Sequence, residues 1–454
     1  MARRIKTAKK RKGKSSKPKL SNPDFRARSH FPLPPVAAVE ARLRASLPSP
    51  SDAKTPRMSL RPGLPPKRLR ARLLTLPLMA VLMVTLVWRQ WPSLSEALRV
   101  LALEGLWEGA PLEATRQALS KRLGTLPAQL FAQLYEEALT RLRATQSPPP
   151  AAPGSLQASL QERFTARWAA DGSTREGLRR KLKELREATT PLGGKMLAVV
   201  ELFTRRPQQT CYTEDAQAND KSFCRQLLEA LPVGGLVVFD LGWFGFPFFD
   251  QLTALGKCFV TRLRAKTAYQ VVEVLGAGAC WRAELIELGL YRANPCQQPL
   301  RLVSVLWGTT WYRYLTNLLE PDKLSAREVA ALYRQRWRVE EAFLLTKRLL
   351  GLAYLWVGDS NGVPIQLYAT WLVYAVLTDL CVQVAQVLEV PLAQISLAMV
   401  YRSFYHFSQA EARGYRYGLL MFLFENAKLL GLVKAKHKRQ KEREAFEMEI
   451  WGSS

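Results

Sequence analysis

The stretch GLVVFD, residues 235–240, constrains the fold more than any other part of this 454-residue chain. Its central residues are all apolar, without the polar alternation of a half-exposed strand, so it predicts a strand buried on both faces. Such a strand belongs inside a covered sheet, which favours an α/β fold. Asp240 ends the stretch, and an acid at that end of a strand points into the crevice where α/β proteins place their sites.

Short strands and helices alternate around this stretch. Further strands are predicted at RFTARWAAD, KMLAVVELF, QQTCYT and KCFVTRL, and helices at SFCRQLLEAL and residues 247–255. The predicted order along the chain is therefore β-β-β-α-β-α-β. Residues 266–320 alternate strand-like pieces without a helical domain of their own, so this region is predicted to be β-rich.

A long basic helix follows the β-rich region. Ser325 and Glu328 form a capping-box pattern, which predicts that a helix begins there and runs unbroken by Gly or Pro to Leu350. At about 100° per residue, four polar side chains of this helix share one narrow stripe. They are Tyr333, Arg336, Glu340 and Lys347.

The acid next to Glu340, Glu341, is predicted to project from a different side of the helix. Two interpretations of the stripe stay open at this point. It is either a solvated face held by ion pairs three and four residues apart, or a carboxylate at a polyanion site whose phenol and cations hold phosphates. Partner acids elsewhere in the chain decide between them.

Two such acids are predicted at strand ends. Asp171 and Asp240 each follow an apolar strand and each begin a glycine-bearing turn, DGST and DLGWF. Turn formation alone would explain either aspartate taken singly. Three carboxylates delivered by two strands and a helix, however, suit Mg²⁺ or Mn²⁺, and a pair of such ions can catalyse phosphodiester chemistry. Asp171, Asp240 and Glu340 are therefore the candidate catalytic residues and metal ligands.

The charge of the chain predicts a polyanionic partner. It carries 66 Lys and Arg against 38 Asp and Glu, a formal net charge of +28, which favours nucleic acid first and an anionic membrane second. Ten of the first twenty residues are basic and none is acidic. Residues 1–70 are therefore predicted to be a mostly disordered arm whose basic start adds sequence-independent affinity for phosphates, with a merely solubilising or accidental tail as the alternative.

Cysteine and histidine usage argues against a zinc finger, because the six Cys include no C-x-x-C pair and the chain has only three His. Scattered single thiols are typical of small buried side chains in a reducing cytosol.

Two apolar segments, residues 73–88 and 363–388, leave a membrane protein as an alternative. The first contains Pro77 and the second Gln366 and Asp379, and a spanning helix needs about 20 apolar residues, so both are predicted to be core helices.

The spacing Y-x2-R-x3-E-x6-K over residues 333–347 resembles the Tyr-Arg-Glu-Lys signature of the DDE transposases of bacterial insertion sequences, in the insertion-sequence-four group. DGST at residue 171, the aromatic-rich turn after Asp240 and YLTNLL at 314–319 are similar to further motifs of that family. Leu241 departs from it, because many relatives have a polar residue there. The resemblance covers residues 155–390.

The resemblance implies a ribonuclease-H-like catalytic core with a β-rich insertion, flanked by helical N- and C-terminal regions. It also implies that the three acids bind Mg²⁺ or Mn²⁺, with two ions in the site. The predicted divisions are the basic arm (1–70), a helical N-terminal domain for end recognition (71–146), the linker SPPPAAPGS (147–155), the core (156–265 and 321–352), the insertion (266–320) and a helical C-terminal region with a basic tail (353–454).

By the same resemblance the protein cuts double-stranded DNA at the terminal inverted repeats of an insertion sequence and joins the freed 3′-OH to target DNA. Tyr333, Arg336 and Lys347 would bind phosphates of the element end. An aromatic residue would assist a flipped base, with core packing as the alternative role, and the candidates are Trp281, Trp307 and Trp311.

Further expectations are a homodimer in the synaptic complex and a bacterial cytoplasmic, nucleoid-associated location without a membrane. A catalytically inactive DNA-binding relative and a basic membrane protein stay open as alternatives.

Overall fold

The computed structural model describes residues 33–47, 74–107, 109–144, 155–174, 194–352, 355–356 and 361–434. Within these ranges the chain forms thirteen α-helices and nine β-strands. The helices are α1 (Ala37–Ser46), α2 (Leu76–Trp88), α3 (Leu94–Leu103), α4 (Arg116–Thr125), α5 (Ala128–Ala144), α6 (Leu156–Arg163), α7 (Cys224–Ala230), α8 (Phe246–Ala254), α9 (Ala326–Gln335), α10 (Trp337–Leu344), α11 (Gly362–Val387), α12 (Leu397–Ala412) and α13 (Gly418–Glu425). The strands are β1 (Arg167–Thr174), β2 (Lys195–Glu201), β3 (Pro207–Thr213), β4 (Leu236–Phe239), β5 (Cys258–Arg262), β6 (Tyr269–Gly278), β7 (Trp281–Leu288), β8 (Leu300–Trp307) and β9 (Thr310–Thr316).

The strands form one mixed sheet in the order β3-β2-β1-β4-β5-β9-β8-β7-β6. β4 runs parallel to β1 on one side and to β5 on the other, and the other neighbouring strands are antiparallel. The predicted order β-β-β-α-β-α-β is confirmed by β1 to β5 with α7 and α8 between them. The four strands of the predicted β-rich region continue the same sheet, because β9 pairs with β5.

The central strand β4 is buried along its whole length, as its apolar run predicts. Alternate residues of a strand face opposite sides of the sheet, so β4 contributes to two cores. Val238 belongs to the larger core, which also contains Trp371 of α11. Phe239 belongs to the second core, where its ring lies 6.3 Å from that of Phe249 on α8. The strand that precedes Asp240 is therefore held from both faces.

The two apolar segments form buried helices, which confirms the prediction of core helices at both positions. Among the described residues, α11 is the one helix long and apolar enough to cross a membrane, and 94% of its most apolar window is buried inside the protein. It packs against α2, the other apolar helix, and against α5.

The acid-bearing helix begins at the predicted capping box, in which Ser325 and Glu328 satisfy each other's backbone groups. The helical segment continues to Leu349 without Gly or Pro, close to the predicted end at Leu350, but it is not one regular α-helix. At Arg336 the backbone N–H bonds to Tyr333 three residues back, which tightens the turn between α9 and α10. A π-helical turn then occupies Leu345–Leu349, where the Thr346 hydroxyl donates to a backbone carbonyl one turn earlier.

A helix lies inside the predicted N-terminal arm. α1 buries Val39 and Leu43 against the helical core, so the prediction of a mostly disordered arm missed it. The basic first twenty residues, most of the linker (147–154) and the basic tail from residue 435 lie outside the described residues. The predictions for those segments stay predictions.

Candidate active site

Asp171 and Asp240 lie side by side at the centre of the sheet. The parallel ladder between β1 and β4 pairs Ala170 with Phe239, and each aspartate is the next residue along its strand. The sequence predicted that the strand ends at Asp171, and this was wrong. The strand β1 continues to Thr174 along its other neighbour, β2. Asp171 is instead the first residue of β1 beyond its pairing with β4.

Each aspartate is oriented by a nearby glycine. The N–H of Gly172 donates to Oδ1 of Asp171 at 2.8 Å. The N–H of Gly242 donates to Oδ1 of Asp240, also at 2.8 Å, and Asp240 caps a short 3₁₀ helix, Leu241–Trp243. These bonds agree with the turn-forming role that the sequence left open for both residues. In both aspartates the glycine N–H bonds to Oδ1 and not to the second carboxylate oxygen, Oδ2.

Arg336 joins Asp171 to the third predicted acid. Its guanidinium lies 3.3 Å from Oδ2 of Asp171 and 2.7 Å from Oε1 of Glu340. Only 12% of the Arg336 side chain is exposed, so both contacts are shielded from solvent on the arginine side. The helix therefore presents Glu340 to the same end of β1 that carries Asp171.

The environment of Asp171 is unfavourable to its charged form. Burial raises the pKa of this carboxyl to about 7, and the neighbouring Asp240 carboxylate adds to the rise. The positive charge of Arg336 opposes both effects. A carboxylate held in this way gains from any further positive charge placed between it and Asp240.

The other two stripe residues also face this end of the sheet. Lys347 donates a hydrogen bond of 2.5 Å from Nζ to the hydroxyl of Ser173, two residues after Asp171. The Arg336 guanidinium lies 6.0 Å from the centre of the Tyr333 ring. The four residues predicted to share one helix face thus lie around the end of β1, although the helix is irregular on both sides of α10.

Glu341 belongs to a different set of contacts. Its carboxylate lies 3.3 Å from Arg205, 3.0 Å from Lys434 and 3.3 Å from Arg338. Burial alone would raise the pKa of Glu341, but these three cations outweigh it and lower that pKa to about 2. The predicted separation of the two adjacent glutamates onto different sides of the helix agrees with these contacts.

The donor chemistry of the site suits a hard divalent cation. Carboxylate oxygens are the preferred ligands of Mg²⁺ and Mn²⁺, and a guanidinium already holds positive charge between Asp171 and Glu340. In the described part of the chain no group of three or more Asp, Glu, His or Cys side chains is drawn together closely enough to hold an ion as it stands. Binding would therefore require these side chains to rearrange around Arg336.

A fourth acid, Asp220, was missed by the sequence interpretation. It is the first residue of a 3₁₀ turn, Asp220–Phe223, directly before α7. It approaches the site at Gly172, which lies 48 residues earlier in the chain. No local pattern in the sequence signals such a contact.

The three tryptophans predicted as candidates for assisting a flipped base differ in exposure. Trp311 is 46% exposed, whereas Trp281 packs on Gly276 and Trp307 lies under the guanidinium of Arg334.

Comparison with known proteins adds to this geometry. Residues 181–375 match the family described as the transposase DDE domain. The chain is 27% identical over 172 residues to a protein of Sinorhizobium fredii (strain NBRC 101917 / NGR234) provisionally named transposase y4zB, a match that covers 36% of this chain and 47% of the relative. It is 34% identical over 119 residues to a Geobacillus stearothermophilus protein provisionally named transposase for insertion sequence element IS5377, covering 26% and 29% of the two chains. These matches support a DDE transposase.

The transposase match contains Asp240, Glu340 and the whole acid-bearing helix, and it begins after Asp171. The chain spans about half or less of the length of the two transposase relatives. A transposase has DNA as its partner, which agrees with the basic charge of the chain.

Proposed function

We propose that the protein is a metal-dependent DNA transposase of an insertion sequence, which cuts the element ends and transfers the freed 3′-OH into target DNA. One observation carries this proposal. The parallel neighbours β1 and β4 bring Asp171 beside Asp240, and Arg336 joins Asp171 to Glu340. Three acids far apart in the sequence are therefore grouped around the same end of the central strands, and two of them, Asp240 and Glu340, lie in the segment similar to a transposase domain.

The proposed core is ribonuclease-H-like and belongs to the insertion-sequence-four group. Its support is a mixed sheet with helices on both faces, in which the two acid-bearing strands are parallel and adjacent. The Y-x2-R-x3-E-x6-K spacing on the following helix supports the narrower group. The strands β6 to β9 correspond to the proposed insertion, and they extend the core sheet.

The proposed cofactor is Mg²⁺ or Mn²⁺, with two ions held by Asp171, Asp240 and Glu340. Bound there, such ions would lower the pKa of an attacking water and stabilise the leaving oxygen of a phosphodiester. The residues of the chain supply the position. Gly172 and Gly242 fix the directions of the two aspartates, while Arg336 and Lys347 supply positive charge for the phosphates of the strand that is cut.

Tyr333, Arg336 and Lys347 are the proposed contacts to the element end. Arg336 would exchange its carboxylate partners for a phosphate when metal ions take over the charge of Asp171 and Glu340. Lys347 is held at Ser173, so its ammonium lies near the acids before DNA arrives. A homodimer in the synaptic complex and association with the bacterial nucleoid are further parts of the proposal, which follow from the resemblance to insertion-sequence transposases.

A catalytically inactive DNA-binding relative is the second candidate. The observation that favours it is the position of Arg336, which already neutralises two of the three acids without an ion. Both candidates would bind DNA, so DNA binding does not distinguish them. Cleavage of DNA at the element ends distinguishes the active transposase from the inactive relative.

The test begins with the DNA that flanks the gene, where inverted repeats would define the element ends. Duplexes with those ends are incubated with the protein and Mg²⁺ or Mn²⁺, and nicks at the element boundary are mapped on both strands. Cleavage that is lost in Asp171→Asn, Asp240→Asn and Glu340→Gln, and kept in the exposed control Asp215→Asn, supports the transposase. DNA binding without cleavage in the unaltered protein would favour the inactive relative.

A further inference from the structure

Asp220 occupies the space between the two turns that carry the candidate catalytic aspartates. Its Oδ1 lies so close to Gly172 that a side-chain carbon there would clash with it. Its Oδ2 lies almost as close to Gly242, where a side-chain carbon would clash as well. A side chain at either position would therefore displace this carboxylate, which glycine leaves in place.

The charge of Asp220 is close to that of Asp240. The point where a side-chain carbon of Gly242 would lie is in contact with Oδ2 of Asp220 and 3.0 Å from Oδ1 of Asp240. The two carboxylates therefore lie close to the same point, and their negative charges repel each other. Partial burial strengthens this repulsion because the local dielectric constant is lower than that of water. Asp220 thus makes the region around Asp171 and Asp240 more negative.

Lys195 partly neutralises this charge. Its Nζ lies 2.7 Å from Oδ1 of Asp220, and the two side chains are only 11% and 16% exposed. The same ammonium donates to the carbonyl of Ala218 at 2.7 Å, which ties the loop before Asp220 to the start of β2. Apart from the ion pair with Lys195, Oδ1 of Asp220 is buried without a hydrogen bond.

We propose that Asp220 and Lys195 are a matched charge pair that sets the cation affinity of the site formed by Asp171 and Asp240. This role rests on the proposed function, in which that site binds divalent metal ions. Asp220 and Lys195 are positioning residues, because they act on the charge and the turns of the two aspartates and touch no substrate.

The pair makes two predictions of opposite sign. Asp220→Asn keeps the shape of the side chain and removes a negative charge, so it should weaken binding of a divalent cation at least about tenfold. Lys195→Gln removes a positive charge and leaves Asp220 unpaired, so it should strengthen cation binding several-fold. The double variant should bind close to the unaltered protein, because the two charge changes cancel.

The experiment titrates the full-length protein with Mn²⁺ alone, without DNA, and measures free Mn²⁺ by electron paramagnetic resonance. Asp215→Asn is the control, since this exposed aspartate lies in the same loop and its replacement changes the net charge equally. Circular dichroism and thermal unfolding confirm that each variant is folded. If Asp220→Asn does not fold, Lys195→Gln still tests the proposal through its predicted gain in affinity.

The outcomes separate this inference from the proposed function. No Mn²⁺ binding by the unaltered protein, or equal binding by Asp171→Asn and Asp240→Asn, would show that the proposed metal site is wrong. If those two variants lose affinity but Asp220→Asn and Lys195→Gln behave like the control, the proposed function stands and the charge pair is refuted. Weaker Mn²⁺ binding in both Asp220→Asn and Lys195→Gln would show that these residues have a structural role, and it would also refute the proposed charge pair.

Discussion

Glu340 and Glu341 are adjacent in the sequence, but their carboxylates contact different parts of the protein. Glu340 lies 2.7 Å from Arg336, beside the candidate catalytic aspartates, whereas Glu341 lies 3.3 Å from the buried Arg205 and 3.0 Å from Lys434. One peptide unit therefore separates a residue proposed to serve chemistry from a residue that ties the helix to the C-terminal region. Replacing each by glutamine should separate these roles.

Glu340→Gln should abolish cleavage of element ends and leave the free energy of unfolding and DNA binding nearly unchanged. Its carboxylate is about one-third exposed and has one close cation, so little stability is lost with it. Single-turnover cleavage and urea unfolding measure the two effects. Equal loss of cleavage in Glu341→Gln would contradict the assignment of the two residues.

Glu341→Gln should lower the free energy of unfolding by about 1–3 kcal/mol, because it leaves the buried Arg205 without its carboxylate. Cleavage per folded molecule should stay close to normal. The pKa of Glu341 is lowered to about 2 from an ordinary 4.5, so its contribution to stability is present above pH 4.5 and is lost as pH falls toward 2. Urea unfolding at pH 6, 4.5 and 3.5 should therefore show the difference between variant and unaltered protein shrinking. A constant difference would contradict this pH dependence.

Asp171→Asn should abolish cleavage while maintaining or increasing stability in the absence of divalent ions. Burial, with the Asp240 carboxylate, raises the pKa of Asp171 to about 7, so the folded protein binds this proton more tightly than the unfolded chain does. Stability then falls as pH rises from the ordinary value of 3.8 to about 7, and asparagine removes that loss. Thermal unfolding in EDTA should show a gain at pH 8 that shrinks as pH is lowered toward 4. A variant less stable than the unaltered protein at pH 8 would show that the charged form of Asp171 is stabilising.

Deleting residues 1–20 should weaken binding to all DNA sequences alike, because it removes ten positive charges and no negative charge. The slope of log affinity against log salt should decrease by about 0.9 for each DNA phosphate that the shortened protein no longer neutralises. Salt titrations with element-end and unrelated duplexes measure this. Loss of cleavage by the truncated protein even when the element end is saturated would assign these residues a role beyond general affinity.

Arg336→Ala and Lys347→Ala should reduce cleavage about 100-fold or more and reduce DNA binding only a few-fold, because both side chains are proposed to position phosphates at the acids. Arg327→Ala is a matched control, since Arg327 is exposed on the same helical segment. Cleavage at saturating protein is compared for the three variants. Normal cleavage by Arg336→Ala would contradict the proposal that Arg336 contacts a phosphate of the element end.

Features encoded by neighbouring residues could be predicted from the sequence. The apolar run before Asp240 predicts a fully buried strand, and the pairing of Ser325 with Glu328 predicts the start of a helix, because both depend on residues within one element. The helix face that carries Glu340 could also be predicted, since helical geometry changes little over two turns. These features include Asp240 and Glu340, whereas the strand end predicted at Asp171 was not observed because β1 continues along β2.

Features that depend on distant contacts could not be predicted. The pairing of β9 with β5 joins segments about fifty residues apart, and nothing local in either strand specifies the partner. The approach of Asp220 to Gly172 and Gly242 has the same origin. The π-helical turn at Leu345–Leu349, where the Thr346 hydroxyl donates to a carbonyl of the preceding turn, is likewise not revealed by residue spacing.

The sheet order has a consequence for how such a protein can change over evolution. β1 and β4 each have two hydrogen-bonded neighbours, so an insertion in either strand would break two ladders and displace the aspartates. β6 and β3 each have one neighbour, and changes in their length would leave the central strands in register. Sequence divergence can therefore accumulate at the two margins of the sheet, where new binding preferences can arise, while the strands that carry the candidate catalytic aspartates are inherited unchanged.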